Sequence, residues 1–270
     1  MPEVTSQDGT SLSVAIRSGD GMSIVLVHAT GFCKETWEPV LDFLPGLNAT
    51  LFDQRGHGAS GTPEPPFDWW DLGADVLEVL RDASDRPIGV GHSSGGAAVA
   101  MAEITRPGTF SALVLAEPII LPPPFARGED NPLTTQALRR RRDFESIDGA
   151  LESFRGRGPF GRWTDEALRL YVEHGTVATP DGGRTLACPP EVEAEFYRAA
   201  TAHGAWDRLG EILCPVVIVI GEHSDTHTPE FADSLQARFS NARVVTVAGA
   251  THFVPMEKPR EVAEIVMQEV

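Results

Sequence analysis

Short, continuous runs of β-branched and aliphatic residues recur along this 270-residue chain, and most are followed by a stretch with helical spacing. The runs are "SIVLVH" (23–28), "ATLFDQ" (49–54), "PIGVGH" (87–92), "SALVLAEP" (111–118), "PVVIVIGE" (215–222) and "ARVVTVAGA" (242–250). Strands that lack polar alternation are expected where both faces of a sheet are covered. The helical patterns are "TWEPVLDFL" (36–44), "DWWDLGADVLEVLRDA" (68–83), "SGGAAVAMAEITR" (94–106), "TPEFADSLQARF" (228–239) and "PREVAEIVMQEV" (259–270). Strand and helix in alternation define an α/β chain with a mostly parallel sheet and helices on both faces. One early segment, "SLSVAIR" (11–17), alternates instead and reads as a half-buried early strand, paired across a turn with a similar segment or with the strand that follows.

The alternation stops between residues 118 and 205, where helices but no convincing strand are expected. "PPPFARGEDNP" opens this stretch, and "TQALRRRRDFESIDGALESF", "TDEALRLYVEHG" and "PEVEAEFYRAA" follow as helices. The arginine run 139–142 reads as a solvated helix face flanked by acids. An insertion at the carboxyl ends of parallel strands sits over the place where α/β proteins bind ligands, so this one reads as a lid. The chain thus divides into a core domain, 1–117 and 206–270, and a helical cap, 118–205.

The charge balance, 22 basic against 39 acidic residues for a net −17, opposes a nucleic-acid partner or an anionic membrane surface. Cys33, Cys188 and Cys214 stand far apart with no ligand spacing, which supports neither a disulfide framework nor a zinc site. The first residues carry no basic segment followed by an apolar run, and no apolar stretch reaches spanning length. A cytoplasmic protein, monomer or homodimer, is the resulting expectation.

Between the strand at 87–90 and the helix opening at 94 lies G-H-S-S-G, residues 91–95. A turn from strand into helix this sharp needs glycine where backbones pass closely. It holds the central serine in a strained conformation that lifts its hydroxyl above the sheet. The following helix N-terminus offers free N–H groups to a developing oxyanion. Ser93 is therefore the candidate nucleophile, and Ser94 contributes its backbone N–H. A glycine-rich turn that merely packs a helix on a sheet is the plainer reading, and the strand–turn–helix setting argues against it.

Five segments together, "HATGF" (28–32), "DQRGHGAS" (53–60), "GHSSGG" (91–96), "IGEHSD" (220–225) and "GATHFVPMEKP" (249–259), resemble the α/β-hydrolase superfamily in its branch with a serine nucleophile and a helical cap. The resemblance implies an α/β-hydrolase fold: a mostly parallel eight-stranded sheet flanked by helices, with the cap inserted after strand 6. It also implies a triad in the chain order serine, acid, histidine. Asp225, after one buried strand, is the expected acid, and His252, after the last, the expected base. Glu222 and Glu117 are rival acids, while His223 and His227 are rival histidines. The second oxyanion donor is the backbone N–H of Thr30, with His28 bracing its loop. Asp53 and Arg55 are expected to anchor the "DQRGHGAS" loop. Ala29 stands where the family commonly has glycine, so its backbone must avoid positive φ.

The expected chemistry is serine hydrolysis of a small to medium, uncharged carboxylic ester, thioester or lactone through an acyl-enzyme, with a small-molecule substrate and no metal or organic cofactor. Phe32, Phe125, Phe160, Trp163 and Val254 are the expected pocket residues. C–C bond hydrolysis, acyl transfer or cofactor-free perhydrolysis on the same triad are the enzymatic alternatives, and a non-catalytic ligand receptor on this fold is the other class.

Overall fold

The computed structural model describes residues 3–128 and 131–270. Its strands are β1 (Glu3–Thr5), β2 (Ser11–Arg17), β3 (Ser23–Val27), β4 (Asn48–Phe52), β5 (Ile88–His92), β6 (Ala112–Ala116), β7 (Asp143–Phe144), β8 (Thr176–Ala178), β9 (Arg184–Leu186), β10 (Val216–Gly221) and β11 (Ala242–Val247). Eight of them form one sheet in the order β1-β2-β4-β3-β5-β6-β10-β11. β1 and β2 pair antiparallel, as do β2 and β4, and every pairing from β4 across to β11 is parallel.

The helices are α1 (Glu38–Leu41), α2 (Trp70–Val79), α3 (Ser94–Thr105), α4 (Pro132–Leu138), α5 (Ile147–Phe154), α6 (Asp165–His174), α7 (Pro190–Ala199), α8 (Pro229–Gln236), α9 (Val254–Glu257) and α10 (Pro259–Met267). β3 shows why its sequence is apolar throughout. Val25 and Val27 pack with Trp69, Leu72 and the alanines of α3, while Ile24 and Leu26 pack with Trp37, Val40 and Val262. Each such side chain removed from water contributes about 1.5–3 kcal/mol. Small residues let α3 lie close to its neighbours: a Cβ on Gly73 of α2 would stand 2.8 Å from Met101 Cβ.

The stretch between β6 and β10 departs from the all-helical expectation. β7, β9 and β8 form a three-stranded antiparallel sheet. β8 and β9 are joined by Thr179-Pro180-Asp181-Gly182-Gly183, where Thr179 N–H donates to Gly183 O and Gly182 takes φ +88. A Pro-Asp-Gly turn between β-branched runs is a hairpin signal that helical periodicity alone passes over. The helix expected across the arginine run also stops at Leu138. Arg140 instead turns inward to Glu193 and Tyr171. Among the described residues no helix is long and apolar enough to cross a membrane.

Candidate active site

The loops that follow β3, β5, β6, β10 and β11 carry the chemistry-bearing residues, as the parallel topology dictates. Ser93 caps α3 with φ 55 and ψ −114, a conformation that a non-glycine residue adopts only when its surroundings force it. The forcing groups are visible. Ser93 N–H donates to Ala116 O at 2.9 Å, and Ile119 N–H donates to Ser93 O. A Cβ on Gly91 would lie 2.3 Å from Gly95 O, and one on Gly95 would lie 2.1 Å from Val27 O.

The loop after β3 is braced by two neutral histidines. His28 Nε2 accepts from Gln54 N–H at 2.9 Å, so its Nδ1 carries the proton and faces Ala29 O. His57 Nε2 accepts from Gly31 N–H at 2.8 Å, and its Nδ1 faces Arg55 O. Burial, with His28 close by, pushes His57 down to about 3, and burial lowers His28 as well. Gln54 Nε2 donates both to His28 O and to Ser94 Oγ, tying this loop to the serine turn. Neither His57 nor Gln54 was singled out from the sequence, although both lie inside the "DQRGHGAS" segment. Gly31, not Ala29, takes the positive φ of this turn, at +83. Among the described residues the backbone N–H of Thr30 has no hydrogen-bond partner. Asp53 accepts from Lys34 Nζ, Lys34 N–H and Ala59 N–H, and Arg55 makes a two-pronged contact with Asp75, so both anchor the loop.

His252 is placed by its neighbours on both sides. His92 Nε2 donates to His252 O at 2.9 Å, and the two rings lie 5.2 Å apart. The acid beside His252 is Glu117 and not Asp225. Glu117 Oε2 stands 3.1 Å from His252 Nδ1. Asp225 is exposed and its carboxylate meets only the hydroxyl of its neighbour Thr226. Glu222 is exposed too and accepts from Gly249 N–H. The reason for the difference lies at the end of β6: Glu117 takes φ 50 and its carboxylate is fully buried, a position costly for a charge unless partners surround it. Gly221 N–H donates to Oε1 and Ser224 Oγ donates to Oε2. Burial alone would raise this carboxyl, but the neighbouring His227 and His252 outweigh it and hold it down at about 2. A lone acid after a wholly apolar strand marks Glu117 in the sequence, but it marks Glu222 equally, and only the buried donors around Glu117 separate the two.

Aromatic rings gather next to these groups. Phe32 contacts Trp163 at 5.1 Å, Tyr171 at 5.6 Å, His92 at 6.0 Å and Phe253 at 6.1 Å between ring centroids. Phe160 joins the same cluster through Trp163. Of the expected pocket residues, Phe32, Phe160 and Trp163 come together, and two do not. Phe125 lies against Gly204 at the margin of the α3-side core, and Val254 is buried with Trp37 and Val262 on the opposite side of the sheet. Val254 opens α9, which turns its side chain into the core.

Among the described residues, one group of histidine and carboxylate donors converges within 4.8 Å: Glu117, His227 and His252. Both histidines turn a ring nitrogen toward the same carboxylate oxygen, which accounts for their convergence, and we assign no ion to them.

A parallel sheet with a strained serine turn, an adjacent loop of free backbone N–H and a histidine held by a buried carboxylate defines the class of α/β hydrolases with a serine at the elbow. The chain belongs to the alpha/beta hydrolase family, whose profile matches residues 24–265. It is 27% identical over 248 residues to the 2-(acetamidomethylene)succinate hydrolase of Mesorhizobium japonicum, covering 89% of this chain and 85% of that one. It is 26% identical over 216 residues to the abhydrolase domain-containing protein AKT2 of Alternaria alternata, covering 66% of this chain and 80% of that one. A crystal structure of E-2-(acetamidomethylene)succinate hydrolase superposes with a TM-score of 0.86 at 24% identity, over 99% of this chain and 97% of that one.

Proposed function

We propose that this protein hydrolyses a small carboxylic acyl compound through an acyl-enzyme on Ser93, with His252 as general base and Glu117 as the acid that orients it. The observation that carries this reading is the 3.1 Å contact between His252 Nδ1 and Glu117 Oε2. It fixes the tautomer of His252, so that Nε2 bears the lone pair that takes the serine proton. Ser93 Oγ attacks the carbonyl carbon as its proton passes to His252 Nε2. The backbone N–H groups of Thr30 and Ser94 receive the oxyanion, each contributing roughly 3 kcal/mol in comparable sites. The tetrahedral adduct collapses, and His252 returns its proton to the leaving group. Water then attacks the acyl-enzyme with His252 again as base, which restores Ser93.

The test is to treat the protein with a fluorophosphonate and locate the adduct by mass spectrometry, alongside turnover of p-nitrophenyl esters. Adduct on Ser93, with turnover lost in Ser93→Ala and His252→Ala, supports the reading; no adduct and no turnover in folded protein sinks it. A second reading, cleavage at the N-acyl group of a dicarboxylate, is favoured by the relatives. The polar groups beside Gly31 are the paired Glu193 and Arg140, at 2.9 and 3.3 Å from where a Cβ would sit. The names of the bacterial relatives carry such a substrate, a succinate with an acetamido or an N-methylformamido group. Turnover of an N-acylaminomethylene succinate, absent with neutral p-nitrophenyl esters, decides for it.

A further inference from the structure

We infer that His227 is a positioning residue held as an imidazolium against Glu117, so that the acid behind His252 works as a neutral histidine–glutamate pair. The inference deepens the triad reading above and rests on it. His227 is fully buried, in the loop that runs from β10 into α8. Its Nδ1 stands 2.8 Å from Glu117 Oε2, and its Nε2 stands 3.1 Å from the carbonyl oxygen of Pro118. Pro118 O can only accept, so Nε2 carries a proton. A neutral imidazole has that one N–H, and its bare Nδ1 would then stand electron-rich 2.8 Å from a buried carboxylate oxygen, away from water. A second proton removes that clash. The Nδ1 contact falls within ion-pair distance but off the line of a good hydrogen bond, so the attraction is one of charge.

The groups around His227 allow this. Glu117, from the end of β6, is the carboxylate in contact, and it shares one oxygen with His252 from the loop after β11. Ser224 Oγ donates to that oxygen and accepts from the backbone N–H of His227, while the ring of Phe231 from α8 packs 5.0 Å away. Asp225 points to Thr226 and Glu222 to Gly249, so neither adds charge to the pair. His92, beside His252, is pushed by burial down to about 3 and is neutral at working pH.

The consequence is kinetic. An unopposed Glu117 carboxylate would favour protonated His252, which cannot act as a base. A cation at His227 offsets that pull and keeps His252 free of its proton at lower pH. In His227→Gln the amide retains a donor and the volume but not the charge. The acid limb of its kcat/KM profile is expected about one pH unit higher, with the plateau within a few-fold of wild type, so that rates on the acid limb fall about tenfold. An unchanged profile in folded His227→Gln overturns the inference. Should that variant not fold, 15N chemical shifts of histidine-labelled wild-type protein decide. Both His227 ring nitrogens in the imidazolium range at pH 7 support it, and a neutral tautomer overturns it. The NMR reading needs no turnover, so it separates this inference from the proposed triad: a charged His227 in a protein without Ser93 labelling leaves only the triad refuted.

Discussion

Glu117 Oε2 lies 3.1 Å from His252 Nδ1, although Glu117 follows β6 and His252 follows β11, 135 residues further on. The parallel sheet makes this meeting possible, because β6 and β11 flank β10 and all three deliver their carboxyl ends to one edge. Glu117→Gln is expected to lower kcat by about three to four orders of magnitude, the scale seen when a triad acid is made neutral. Asp225→Asn should stay within about twofold of wild type. Equal losses in the two variants would return the acid role to the loop after β10.

The same carboxyl sets a pH dependence of stability. Its ordinary value is 4.5 and the folded protein holds it at about 2, after burial, which raises it, is outweighed by His227 and His252. A depressed carboxyl stabilises the fold above its unfolded value, and this contribution is lost as pH falls through the folded one. Chemical unfolding should therefore show wild type losing about 3 kcal/mol more than Glu117→Gln between pH 5 and pH 2. Parallel curves for the two proteins would show that the carboxylate is not stabilised by its histidines.

Much of this site was legible before any coordinates. "GHSSG" between an apolar strand and a helix identifies Ser93, because close backbone passage leaves glycine no substitute at 91 and 95. His252 and the bracing role of His28 follow from their places after strands. The acid did not follow, because a family's usual loop position says nothing of which carboxylate the fold surrounds with donors. Glu117 owes its place to partners from two separate loops, Gly221, Ser224 and His227 after β10 and His252 after β11, and such convergence is tertiary. Phe125 and Val254 failed as pocket residues for a similar reason: an aromatic or aliphatic residue near a motif has no periodicity that tells the core side of a loop from the site side.

Strain at the elbow gives a stability change opposite in sign to the activity change. Ser93 holds φ 55, which costs a non-glycine residue about 1–3 kcal/mol. Ser93→Gly removes both the hydroxyl and the strain, though glycine gives back about 0.5–1 kcal/mol through unfolded-state freedom. Calorimetry is expected to find this variant inactive and at least as stable as wild type. A drop in melting temperature would mean that the serine side chain contributes packing that outweighs its backbone strain.

Gln54 joins the two halves of the proposed oxyanion site. Its Nε2 donates to His28 O in the loop that carries Thr30 and to Ser94 Oγ at the start of α3, so one side chain sets the separation of the two N–H donors. Gln54→Leu keeps the volume and removes the bridge. Donors displaced from the developing oxyanion stabilise it less, while the aromatic cluster around Phe32 and Trp163 is left unchanged. The expected result is a fall in kcat of about tenfold to a hundredfold with KM within about threefold, measured on whichever acyl substrate the protein turns over. A rise in KM at unchanged kcat would instead place Gln54 among the groups that hold the substrate's ground state.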